Sequence, residues 1–158
     1  MKIAFPIVKA LSGSDVYFQI LAEGLKKYNI TAEIIELGYS NEFLPATNRA
    51  VRKKLQSFDL IHSNIEYASL FKLSGIPLIS TLHHNVLDNS YQQNTTIPQK
   101  IYHRGILAPR IKSGLKISSA LICVSKATAA SYEKTFGNHN YRVIHNGIDT
   151  DTYARNSE

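Results

Sequence analysis

Apolar runs of strand length recur along this chain, and each is followed by a stretch with helical spacing. KIAFPIV opens the sequence, and after the LSGSD turn Tyr17, Leu21, Leu25 and Tyr28 mark one face of a helix. TAEIIEL is the second run. The GYSNEFLP loop leads to ATNRAVRKKLQ, a short basic helix, then to FDLIHS, to helical EYASLFKLSG and to IPLISTLHH. A polar stretch, NVLDNSYQQNTT, reads as a long loop before a helical region from about Pro98 to Leu115, which Pro109 should kink or break. SALICVS, the helix KATAASYEKTFG with Ser125 as its N-cap, and YRVIH complete the pattern. Strands that alternate with helices and are apolar along their length belong to a parallel sheet covered on both faces. The expected fold is therefore a doubly wound α/β domain with a mostly parallel sheet of about six strands, near the average sheet size.

In such sheets ligands bind outside the carboxyl ends of the strands, near the point where the strand order reverses. The residues expected there are Gly13 and Ser14, His62 and Ser63, His83 and His84, Ser125 and Lys126, and Asn146 and Gly147. LSGSD carries one glycine, so it is not the G-x-G-x-x-G of dinucleotide binders. Gly13 can aim helix N-terminal N–H groups at a phosphate or sugar oxygen, or serve only a tight turn. In STLHHN two adjacent histidines on an extended segment should point opposite ways, so that one at most faces a cleft. Without H-E-x-x-H or a cysteine pair no metal is expected, and no cofactor. An imidazole there can hydrogen-bond a sugar hydroxyl or stabilise developing charge, or be structural. Neither Ser63 nor Ser125 sits in a G-x-S-x-G elbow, which removes the hydrolase motif.

At 158 residues, 44% hydrophobic and 19% charged, the composition is that of one globular domain. No apolar run approaches the roughly 20 residues of a membrane span. Lys9 interrupts the first apolar stretch and no small-residue cleavage site follows, so the expected location is the cytoplasm. Cys123 stands alone and reads as a buried apolar group. The net charge of +6 is local: Lys100, Arg104, Arg110, Lys112, Lys116 and Lys126 lie between Asn89 and Tyr132, where no acidic residue occurs, and the other 12 basic residues are balanced by 12 acidic ones. Such a field suits phosphate, an anionic ligand or an anionic membrane surface, and a solvated basic face is the alternative.

Taken in order, four stretches resemble the amino-terminal domain of a GT-B glycosyltransferase of retaining family 4. SGSDVYFQILAEGLKKYNITAEIIEL resembles the family's Gly-Gly-x-Glu turn, helix and second strand. FDLIHSN with GIPLISTLHH resembles its Asp-Val-Val-His and Pro-Val-Val-x-Thr-x-His segments. SALICVSKATAASYEKTFG resembles its Val-Ser strand and helix, and YRVIHNGIDTDTY its Val-Ile-Pro-Asn-Gly-Val-Asp signature. The resemblance implies a Rossmann-like acceptor-side domain over residues 1–147, the start of an interdomain linker at 148–158, and a donor-binding carboxyl-terminal domain that this chain lacks. It also implies roles. His83 would be catalytic, touching the transferred sugar near the reacting centre. Gly13, Ser14, Asp15, His84, Ser125, Asn146 and Gly147 would contribute to donor or acceptor binding. Ser12 stands where the family has its first glycine, and His145 replaces the usual proline. Arg49, Arg52, Lys53, Lys100, Arg104 and Lys112 would form basic faces toward an anionic lipid or phosphorylated acceptor, with a peripheral contact at the inner face of the membrane. Ile101, Ala108, Ile111 and Leu115 form an apolar stripe interrupted by Arg104, a pattern that suits core as well as membrane.

The implied function is sugar transfer from a nucleotide-sugar donor to a hydroxyl of a glycan or lipid-linked acceptor in glycan or polysaccharide assembly, by a chain that alone would be inactive or nearly so. Its partners would be the donor, the acceptor and a carboxyl-terminal domain or partner chain, and not nucleic acid. Two alternatives stand beside it: a non-catalytic binding or assembly module of the same fold, and an unrelated flavodoxin-like domain.

Overall fold

The computed structural model describes residues 1–9, 13–43 and 48–147. Six strands form one sheet in the order β2-β1-β3-β4-β5-β6, and every neighbouring pair is parallel. They are β1 (Lys2–Val8), β2 (Thr31–Leu37), β3 (Leu60–Asn64), β4 (Leu78–Leu82), β5 (Ala120–Cys123) and β6 (Arg142–Val143). Helices cover both faces. β1 shows why: all its residues from Ile3 to Val8 are buried. Ile3, Phe5 and Ile7 pack on Phe18 and Ala22 of α1 (Gly13–Lys26). Ala4 and Val8, on the opposite face, share a core with Leu55 at the end of α3 (Arg49–Leu55), with Phe58, and with Ala68 and Phe71 of α4 (Ala68–Phe71). Each large side chain so buried contributes on the order of 2–3 kcal/mol.

Pro6 sets where this strand parts from its neighbour. β1 pairs with β2 along all of Lys2–Val8, but with β3 only at Ile3 and Ala4. The Pro6 carbonyl faces β3, where it accepts a hydrogen bond from Ser63 Oγ at 3.1 Å. The N–H that proline lacks would point the same way, so the ladder cannot continue. The order of connection reverses at this same place, because β2 lies on one side of β1 and β3 on the other. A cleft at the carboxyl edge follows from both facts.

The remaining elements refine the sequence reading. The GYSNEFLP loop contains a short helix, α2 (Tyr39–Phe43), and the polar stretch before Pro98 contains another, α5 (Asn89–Gln93), whose N-cap Asp88 accepts from the Ser90 N–H. Local side-chain capping makes a turn of helix where composition suggests loop. EYASLFKLSG yields a 3₁₀ turn at Ile65–Tyr67 and the single turn of α4. Pro109 does not break its helix. α6 (Ile97–Tyr102), begun by a Thr96–Gln99 capping box, passes through a π turn at His103–Leu107 into α7 (Ala108–Ile117). The wider turn directly before the proline accommodates its ring and its missing donor. Ile111 and Leu115 of the predicted stripe are buried with Leu82, Leu121, Cys123 and Tyr132, whereas Ile101 is 68% exposed. The lone Cys123 is buried, and burial raises its thiol to about 11. Among the described residues no helix is long and apolar enough to cross a membrane.

α7 crosses the Ile65–Tyr67 turn at Gly114, where an added Cβ would stand 2.8 Å from both the Ile65 carbonyl oxygen and Ile65 Cδ1. Backbone cannot yield as a flexible side chain can. Gly114→Ala should therefore lower stability by about 1–3 kcal/mol in chemical denaturation, while Gly105→Ala, where no atom lies within 4 Å, should not. Equal stability of both variants would refute the close approach. His62 supplies a second expectation. It is 5% exposed and lies against Phe5 and Phe18, with ring centroids 5.5 and 5.3 Å away. Burial first, and the neighbouring His83 second, lower its pKa to about 3. The unfolded chain binds this proton below about pH 6.5 and the folded chain does not. Stability from this group is therefore complete above pH 6.5 and is lost as pH falls toward 3. The difference in stability between the wild type and His62→Gln should shrink over that window, by up to about 1.4 kcal/mol per pH unit; a constant difference would count against a neutral His62.

Candidate functional site

The cleft lies at the carboxyl ends of β1, β3, β4, β5 and β6 and has a volume of about 450 Å³. Val8, Gly13 and Ser14 line it after β1; Asn64, Glu66 and Tyr67 after β3; His83, His84 and Val86 after β4; Val124 after β5; and Asn146 after β6. Tyr102 and Leu107 close it from the long helix. Gly13, His83 and Asn146, far apart in sequence, thus share one hollow.

β4 ends at Leu82, directly before the histidine pair. Both residues line the cleft, and their rings pack on different neighbours, His83 on Tyr17 and Phe18 of α1 and His84 on Tyr91 of α5, as adjacent side chains of an extended segment should. α8 (Lys126–Phe136) fixes the segment through its backbone: Thr128 Oγ1 donates to the His83 carbonyl at 3.3 Å, and the Tyr132 hydroxyl to the His84 carbonyl at 3.1 Å. The His83 ring meets Tyr17 edge-on, with centroids 4.9 Å apart, and its Nε2 is buried without a hydrogen-bond partner. Burial, and then the charge of His84, lower the His83 pKa to about 4; burial lowers that of His84 as well. Near neutral pH the cleft therefore presents neutral imidazoles that can exchange hydrogen bonds with a hydroxyl, rather than cations.

His62 and Ser63, expected at the ligand-binding edge, are instead buried and do not line the cleft, His62 belonging to a polar line behind His83. His62 Nε2 and Thr81 Oγ1 are 2.7 Å apart. Tyr17 stands edge-on to both His62 and His83, with ring centroids 6.5 and 4.9 Å away. A second support lies at the rim. Glu42, 2% exposed, accepts from the Tyr102 hydroxyl and from Arg110 Nη1 at 3.0 Å, while Arg110 Nη2 donates to the Glu42 carbonyl at 2.6 Å. This buried pair ties α2 to the long helix and holds Tyr102 at the cleft wall. Sixty or more residues separate its members, and no local motif announces it.

Other predicted residues fall elsewhere. Ser125 is the N-cap of α8, its Oγ accepting from the Thr128 N–H at 3.0 Å, and it does not line the cleft; Val124 does. Asp15 is buried in the first turn of α1, where a carboxylate suits the helix dipole, and is likewise not a lining residue. Gly147 borders a second, more apolar hollow of about 380 Å³ beneath α1, shared with Val16, Ile20, Tyr28 and Asn146. Ser12 and residues 148–158, including the expected linker, lie outside the described residues. Of the basic candidates, Arg49, Lys53, Arg104 and Lys112 are exposed and Lys100 is half-buried. Arg52 instead donates to the Leu70 and Lys72 carbonyls at 2.8 and 3.0 Å, closing the end of α4. Among the described residues, no lysine or arginine lines the cleft, and no three His, Cys, Asp or Glu side chains converge to hold a metal.

The strand order β2-β1-β3-β4-β5 is shared with flavodoxin-like folds, so topology does not choose between the families. Comparison with known proteins does. HepE from Anabaena, solved in complex with UDP, matches with a TM-score of 0.65 at 18% identity, over 97% of this chain and 46% of HepE. The chain thus spans about half the length of that protein. No curated protein matches the sequence. The profile of Glycosyltransferase Family 4 matches residues 12–152, nearly the whole chain, and this chain belongs to that family.

Proposed function

We propose that this chain forms the acceptor-side half of a nucleotide-sugar-dependent glycosyltransferase, probed at its cleft by a sugar rather than by a nucleobase. The carrying observation is the convergence of the α1 N-terminus at Gly13 and Ser14, the neutral His83 and Asn146 on one cleft at the switch point. In the reaction the bond between the anomeric carbon and the diphosphate oxygen breaks. A hydroxyl oxygen of the acceptor bonds to that carbon, and its proton passes to the departing diphosphate.

His83 would hydrogen-bond the sugar being transferred, and its neutral state avoids placing a cation beside an oxocarbenium-like centre. The α1 N-terminus supplies backbone donors for phosphate or sugar oxygen. The principal stabilisation of the leaving diphosphate would come from a carboxyl-terminal domain, in keeping with a cleft whose described lining carries no basic side chain. The UDP complex of HepE supports a nucleoside diphosphate as the donor's leaving group. The exposed Arg49, Lys53, Arg104 and Lys112 would act outside the cleft, where a glycan or membrane-borne acceptor approaches.

In the full-length protein, His83→Ala should lower turnover about 100-fold or more, with a melting temperature close to that of wild type. Unchanged turnover in a folded variant would take His83 out of the mechanism. Calorimetric titration with UDP-sugars should show saturable binding and titration with flavin mononucleotide none; the reverse pattern would overturn the transferase reading.

A further inference from the structure

Two polar side chains at the carboxyl end of β3 are left over once the roles above are assigned. Asn64 is the last residue of β3 and is 7% exposed, yet its Oδ1 has no hydrogen-bond partner. It precedes the Ile65–Tyr67 turn and makes no side-chain cap there, so the ordinary structural reason for an asparagine at this position does not apply. A buried amide oxygen without a donor costs roughly 1–3 kcal/mol. Glu66, on the same turn, also lines the cleft. The ion pairs among the described residues are Lys9–Glu36, Lys26–Glu23, Lys54–Glu33 and Arg110–Glu42, so none neutralises Glu66. Burial raises its carboxyl to about 7, its own backbone N–H being the opposing influence. The turn is rigidly placed, with Ile65 fully buried and α7 in close contact through Gly114.

We infer that Asn64 and Glu66 form the recognition edge for the acceptor, reading neighbouring hydroxyls of a neutral pyranose and excluding anionic sugars. This rests on the glycosyltransferase reading and names the acceptor class within it. The chemistry matches on three counts. Asn64 Oδ1 needs a donor, which a sugar hydroxyl supplies. A carboxyl group accepts from hydroxyls when ionised and also donates when protonated, so Glu66 can serve a diol in either state. Tyr67, Tyr102 and His84 line the same cleft with ring surface suited to the apolar face of a pyranose. Away from the α1 N-terminus, which the donor's diphosphate would occupy, phosphate or a uronate carboxylate would meet Glu66 and neutral imidazoles with no compensating cation among the described lining residues. The described basic residues, although numerous, lie outside this hollow.

The test uses full-length protein with UDP bound and measures binding of methyl glycosides of glucose, galactose and mannose against glucose 6-phosphate and glucuronate by saturation-transfer NMR. At least one neutral glycoside should bind saturably and about tenfold or more tightly than either anionic sugar. Glu66→Gln should weaken the neutral glycoside about tenfold and reduce the discrimination against the anions, with UDP affinity unchanged; Asn64→Ala should weaken the neutral glycoside by a similar factor. Because Asn64 is buried, Glu66→Gln is the variant that keeps the test valid if Asn64→Ala fails to fold. UDP binding together with equal or tighter binding of the anionic sugars would overturn this inference alone. So would Glu66→Gln weakening UDP rather than the glycoside, since the pair would then belong to the donor. Absence of any UDP response would overturn the transferase reading, and this inference with it.

Discussion

The double-sided burial of β1, combined with the early end of its ladder to β3, is the constraint on which the rest of the structure depends. Its residues alternate between the α1 core and the α3–α4 core, so the strand cannot slip by one residue without turning the cores inside out. Pro6 then withholds a donor on the side facing β3, and pairing there stops after Ala4. The first residues of α1, Gly13 and Ser14, and the Asn64–Tyr67 segment that follows β3 border the same hollow. A feature that would ordinarily argue against a central strand here lies where the cleft begins.

Electrostatics divide the molecule into a neutral interior site and a basic exterior. Burial keeps His62 and His83 uncharged near neutral pH and raises Glu66 toward neutrality. The Arg110–Glu42 pair shows what a charge requires in this interior: both members are largely buried, and the guanidinium meets carboxylate and carbonyl together. Such a pair adds little net stability, but removing one partner would strand the other. Its value here is positional, because it holds Tyr102 against the cleft. Of the other described cations none lines the cleft, and Arg52 donates to the Leu70 and Lys72 carbonyls.

Much of the site could be read from the sequence because strand ends are marked locally. Gly13 opens a helix after an apolar run, His83 closes STL, and Asn146 follows the last strand, so the switch-point rule gathers them. Ser125 was legible in only one of its expected roles, as a cap, since an N-cap serine has already committed its oxygen to the helix. The histidine pair was legible as two side chains with different neighbours, His83 against α1 and His84 against Tyr91. Asn64 and Glu66 carried no signal at all; NIEY resembles any polar exit from a strand.

The sequence by itself determined the order of strands and helices, their parallel pairing and the family, because apolar periodicity and turn residues act over a few positions and need no partner. The tertiary structure alone decided which polar groups are buried and what faces them. His62 meets Thr81, Glu42 meets Arg110 and Tyr102, and Asn64 meets no protein donor. Desolvation and hydrogen bonding depend on atoms brought together from distant parts of the chain, and no local pattern encodes them.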